Sequence, residues 1–134
     1  MVTREDLKDY RYSQEWINGR FEYIEELKTK IEKITTTLDD MPKGSRKVQD
    51  SIAEKTAQLV DSVDELLNKI VEADKKQKLI LEQLEIVEQP YRNILEDIYI
   101  KGETLVEVAS KRNYSYRDIC RKHGIALNMF EGSK

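Results

Sequence analysis

The sequence predicts an all-α protein: a long antiparallel helical hairpin of coiled-coil type, followed by a C-terminal three-helix helix-turn-helix unit. Three observations lead there. The 134 residues are 37% charged and 39% hydrophobic with only 5 Gly and 2 Pro, a composition typical of long helices. Apolar residues recur at every seventh position along two stretches before residue 89. After Pro90 come two short segments that each open with a helix-capping signal.

The first helix carries Tyr10, Ile17, Ile24, Ile31 and Leu38 at heptad spacing, with Leu27 and Ile34 three residues after and Leu7 and Phe21 four residues after a repeat position. Thr3 and Asp6 form a candidate N-terminal capping pair. Asn18-Gly19 lies inside this helix, and a mid-helix Gly costs roughly 1 kcal/mol relative to Ala, so the sequence leaves a break near Gly19 open. Pro42 and Gly44 oppose helix, which places a short connection at residues 39–45. The second helix repeats Ile52, Leu59, Leu66, Ala73, Ile80 and Val87, with Thr56, Val63, Ile70, Gln77 and Leu84 at the offset of four. A short connection makes the helices antiparallel neighbours. The expected alignment sets Leu38 near Ile52, Ile31 near Leu59 and Ile24 near Leu66. Residues 1–89 are therefore expected to form an oligomerisation or partner-docking hairpin. Two helices make a thin core, and Trp16, Phe21 and Tyr23 spread beyond the stripe. The hairpin must pack on something else: a second copy is the simplest reading, and the C-terminal helices are the alternative.

Pro90 opens a new helix, to which Tyr91, Ile94, Leu95, Ile98 and Tyr99 give an apolar face and which Gly102 ends. Thr104 and Glu107 form a capping box, followed by Leu105, Val108 and Ala109 on one face. Asn113 suits the left-handed turn that follows. Ser115 and Asp118 form a second box, and that helix buries Ile119, Ala126 and Leu127. Residues 90–134 thus form the expected helix-turn-helix.

Charge separates the two parts. Residues 1–89 hold 15 Lys+Arg against 20 Asp+Glu, whereas residues 90–134 hold 8 against 6. Between Ser110 and Gly124 the balance is 5 basic residues to 1 acidic, so attraction to phosphate is local to the last helix and its turn. An α-helix fits the major groove of B-DNA with its N-terminal residues at base edges. Tyr116, Arg117, Cys120 and Arg121 are the expected base-reading residues. Lys111, Arg112, Ser115 and Lys122 are the expected phosphate contacts.

Other classes lack a signal. The chain has no Gly-rich phosphate loop, Ser-His-Asp set or metal-spaced cluster, and Cys120 with His123 has too few partners for zinc. Neither enzyme activity nor a cofactor is expected. A single cysteine excludes an intrachain disulfide. No apolar run reaches the roughly 18 residues of a membrane span, and the charged N-terminus is unlike a signal peptide. No membrane association and a cytoplasmic location are expected.

Three segments carry a family resemblance: Met41-Pro42-Lys43-Gly44, the Tyr91–Thr104 stretch YRNILEDIYIKGET, and the Tyr114–Leu127 stretch ending His123-Gly124 and Ala126-Leu127. The Leu105–Leu127 pattern resembles the helix-turn-helix of sigma-70 region 4. The fuller layout resembles small phage and prophage transcriptional regulators of the ArpU and RinA late-gene-activator type. That resemblance implies sequence-specific binding of double-stranded DNA in a bacterial host cell, and it puts His123 near the end of the recognition helix, to contact phosphate or cap backbone carbonyls. The hairpin would then dimerise or dock a partner such as RNA polymerase. In this chain Arg112 and Lys122 stand at positions where the family is usually apolar, and Asn113 replaces the usual turn Gly. Two alternatives fit the same layout: a DNA-packaging protein of small-terminase type, and a coiled-coil protein-interaction module with a degenerate helix-turn-helix.

Overall fold

The computed structural model describes residues 1–39 and 46–132. Those residues are all-helical, with five α-helices and one π-helical turn and no strand. The helices are α1 (Arg4–Asp39), α2 (Arg46–Leu84), α3 (Tyr91–Leu95), α4 (Leu105–Arg112) and α5 (Tyr116–Phe130); the π-turn, Glu96–Ile100, continues α3. The MPKG segment and the expected connection after Asp39 lie outside the described residues. None of the described helices is long and apolar enough to cross a membrane.

Two compact units share these helices. Unit one comprises Met1–Gln14 and Glu72–Lys134; unit two comprises Glu15–Val71. Pro90, where the composition changes, therefore falls within unit one.

Unit one buries a continuous apolar core. Leu7, Ile80, Ile94, Ile119 and Phe130 are fully enclosed, and Val2, Tyr10 and Leu84 join them. The first turns of α1 and the last turns of α2 thus share a core with the C-terminal helices, which was the lesser of the two packing readings of the sequence. Polar bonds fix the chain start. The Gln83 side chain accepts from Val2 N (2.8 Å) and donates to Val2 O (2.6 Å) and Phe130 O (2.9 Å). Arg4 pairs with Glu131 and donates to Asn128 Oδ1. The expected cap of α1 forms: Thr3 N donates to Asp6 Oδ2 at 2.9 Å and Asp6 N to Thr3 Oγ1 at 3.4 Å. That bond, joined by Lys76 at 3.3 Å, holds the Asp6 carboxyl below its usual range.

Unit two is a pair of long helical segments with a thin seam. Among the described residues, only Ile17, Ile24, Leu27 and Leu66 are buried there, while Ile31, Ile52, Leu59, Val63 and Ile70 are half-buried. α1 passes Asn18-Gly19 without a break. Ile17 and Ile24, buried on either side of Gly19, outweigh the propensity cost of one glycine. The register differs from the alignment of Leu38 with Ile52. Lys69 lies over the Trp16 ring at 6.0 Å, and Lys33 and Ile34 share a cavity of about 310 Å³ with Lys47, Val48 and Ser51. The expected alignment would put Trp16 beside Asp74.

Candidate functional site

The site is the α4–α5 region, and local sequence dictates its backbone. Gly102, with φ +74, ends the π-turn after Lys101 N bonds Glu96 O and Glu103 N bonds Asp97 O, both at 2.9 Å. Thr104 caps α4 by accepting from Glu107 N at 3.2 Å. α4 ends at Asn113 in the left-handed conformation (φ 62), and Tyr114 N bonds back to Ala109 O at 2.9 Å. Ser115 caps α5 by accepting from Asp118 N at 3.1 Å. Val108 and Ala109 on α4, and Ile119, Ala126, Leu127 and Phe130 on α5, face inward and are buried.

The outer face of α5 is polar and basic. Tyr116, Arg117 and Arg121 are exposed and Cys120 is half-buried. Arg117 makes no ion pair among the described residues. Arg121 donates to Asp118 Oδ1 at 2.8 Å, an exposed contact one helical turn long and of small energetic weight. The neighbouring Cys120 thiol pushes the pKa of the Tyr116 phenol up. Tyr116, Arg117, Cys120 and Arg121 therefore occupy one solvent-facing surface on the first turns of α5. Ser115 is exposed beside them, its hydroxyl engaged in the cap.

The remaining sequence-selected cations have internal partners. Arg112 Nε donates to Asp97 Oδ2 at 2.6 Å, and Lys111 Nζ lies 3.1 Å from Asp97 Oδ1 and 2.8 Å from Glu103. Lys101 approaches the same Asp97 oxygen at 3.4 Å. The Asp97 side chain is 1% exposed. Burial alone would raise its pKa, but the bonds and charges of Arg112 and Lys111 together hold the carboxyl below its usual value. Lys122 lies over the rings of Tyr114 (5.2 Å) and Tyr91 (5.7 Å), a cation–π arrangement. His123 Nε2 bonds the Tyr99 hydroxyl at 2.8 Å, with the rings stacked 5.8 Å apart. Burial, then the nearby positive charges of Arg4 and Lys8, push the His123 pKa down, so it is neutral at pH 7.

These contacts explain the two charges that the sequence pattern left out of place. Arg112 on α4 meets Asp97, which lies inside the Ile94–Tyr99 apolar run. Asp97 was the residue that pattern reading missed. Its signal was available: an acid flanked by Leu95, Ile98 and Tyr99 at core spacing, matched by a displaced Arg in the next helix. Lys122 is accommodated by two tyrosines rather than by an apolar pocket.

No protein-family model, curated protein or solved structure matches this chain.

Proposed function

We propose that the protein is a DNA-binding regulator of the phage or prophage sigma-70 region-4-like kind, with α4, the Asn113 turn and α5 acting as a helix-turn-helix. One observation carries this reading: α5 has a capped N-terminus, a fully packed inner face, and an outer face on which Arg117 and Arg121 are exposed within the first two turns. That is the form of a helix that enters a major groove, where arginine forks onto guanine O6 and N7. Tyr116 and Cys120 lie between them for contact with thymine methyls. The long helical hairpin would assemble the protein, as a homodimer or against a partner such as RNA polymerase.

Lys111 and Arg112 already neutralise Asp97. Phosphate contact by either then competes with a buried carboxylate, so electrostatic attraction falls mainly to Arg117 and Arg121. That observation also supports the second reading, a helical interaction module in which these cations serve only the fold. A gel shift of random-sequence duplexes at low salt separates the two. Wild-type protein should retard the duplexes, with binding falling steeply as salt rises. Arg117→Ala and Arg121→Ala should each weaken binding by about 10-fold or more, the scale of one bidentate base contact. Absence of a shift at low salt, or a shift indifferent to both substitutions, would contradict DNA binding through α5.

A further inference from the structure

The two flanks of the unit-two seam differ in charge and in cover. In an antiparallel pair of heptad helices, one lateral row of each helix lies beside the matching row of the other. The contact of Lys69 with Trp16 identifies one flank. There Arg20 lies over Trp16 (5.0 Å) and Tyr23 (5.6 Å), so the aromatic surface is covered by cations. The outer positions of that flank hold Lys30, Lys33, Lys55 and Lys69 against Glu26 and Glu65.

The opposite flank reverses both properties. Ala53, Ala57, Val60, Leu67 and Val71 of α2 form a second apolar stripe, one residue offset from the seam and interrupted by Asp64. Its large members stay open: Val60 is 54%, Leu67 55% and Val71 53% exposed, and Phe21 on the matching row of α1 is 50% exposed. Glu25, Glu32 and Asp64 stand on this flank against Lys28, and the outermost positions, which border both flanks, hold the exposed acids Glu22, Glu54 and Asp61. Only Glu25 is paired among the described residues, with Lys28 at 3.6 Å. Scattered apolar side chains are ordinary on a surface, but an apolar stripe beside a mainly acidic rim is the mark of a helix-binding groove.

We infer that this flank docks a basic amphipathic helix of another protein, about 28 Å long to match the stripe. The inference rests on the partner-docking part of the proposed function. Charge decides against a second copy seated flank to flank, since two acidic rims would face each other. Phe21, Val60, Leu67 and Val71 provide the apolar contact, while Asp61 and Asp64 select lysine and arginine on the incoming helix.

The test uses the full chain and two labelled synthetic helices of equal apolar face, one with lysine and one with glutamate at every polar position. Fluorescence anisotropy should show micromolar binding of the lysine peptide and at least 10-fold weaker binding of the glutamate peptide. Leu67→Asn and Asp64→Lys should each weaken the lysine peptide at least 5-fold with helical content unchanged by circular dichroism, and Lys55→Ala on the other flank should not. Equal binding of both peptides, or affinity indifferent to Leu67→Asn and Asp64→Lys, overturns the inference. So does a wild-type dimer in sedimentation that Leu67→Asn dissociates, because a second copy would then be the occupant. The duplex gel shift with Leu67→Asn keeps the two claims apart: retained DNA binding there leaves the regulator reading standing whatever the peptides do.

Discussion

Unit one and unit two are built from the same two long helices yet solve the burial problem differently. Unit one encloses a continuous apolar core and ties it with directional polar bonds, such as Gln83 to the Val2 and Phe130 backbone and Arg112 to Asp97. Among the described residues, unit two has a seam only four buried side chains deep, and Phe21, Val60, Leu67 and Val71 lie open beside it. A closed core with buried polar networks specifies one arrangement of backbone, which a surface that reads base edges requires. An open seam leaves apolar surface for something else to cover. Under the proposed function, positioning of α5 falls to the first unit and association to the second.

The sharpest way to break that contrast is to empty the closed core. Phe130 is fully buried, so Phe130→Ala should cost about 4 kcal/mol, with partial collapse of the cavity setting the exact figure. Leu66→Ala in the open seam should cost nearer 2 kcal/mol, the low end for a buried leucine. Urea unfolding followed by circular dichroism measures both, and equal losses would mean that the two units do not differ in packing.

The polar lock of unit one comes next. Asp97→Asn leaves Arg112, Lys111 and Lys101 around a neutral group and should cost about 2 kcal/mol, within the range for charged hydrogen bonds. Combining Asp97→Leu with Arg112→Leu should recover most of that loss, since a well-packed apolar pair often equals a buried ion pair. Failure of the double variant to recover would show that the remaining lysines, not Arg112, carry the interaction. The same carboxylate gives an acid limit. Its folded pKa lies below the ordinary carboxylate value of 3.8, so its stabilising effect is complete above that value and disappears as pH falls through the folded one.

A smaller effect separates the units by pH. His123 in unit one has a folded pKa below the ordinary imidazole value of 6.5. Above pH 6.5 it is neutral folded or unfolded and contributes no slope. As pH falls below 6.5 the unfolded chain takes up the proton first, so stability should decline until the folded pKa is reached and then level off. Denaturation midpoints between pH 7 and pH 5 should show this decline in the wild type and lack it in His123→Asn. The smallest expected effect favours unit two: Gly19 is helical with nothing within 4 Å of an added Cβ, so Gly19→Ala should stabilise it by about 0.5–1 kcal/mol. A loss at that position would show that the helix needs a glycine there.

Much of this was legible in the sequence, because local rules act over a few residues. The Thr3, Thr104 and Ser115 caps, the left-handed Asn113, the end at Gly102 and the inward Ile119, Ala126 and Leu127 all follow from spacing alone. What was not legible depends on distant partners. Nothing in a heptad fixes which repeat faces which, so the register of the long helices differs from the expected alignment. Arg112 looked out of place while Asp97 did not stand out, and only the fold brings them within 2.6 Å. The same holds for His123, whose bond to Tyr99 spans two elements.

The claim that most needs testing is that the outer face of α5 meets DNA. Backbone amide resonances of ¹⁵N-labelled protein, followed while a short duplex is added at low salt, test it most directly. The expected result is that shifts concentrate on Ser115, Tyr116, Arg117, Cys120 and Arg121 and vanish with Arg117→Ala combined with Arg121→Ala. Shifts absent from α5, or concentrated in unit two, would contradict it.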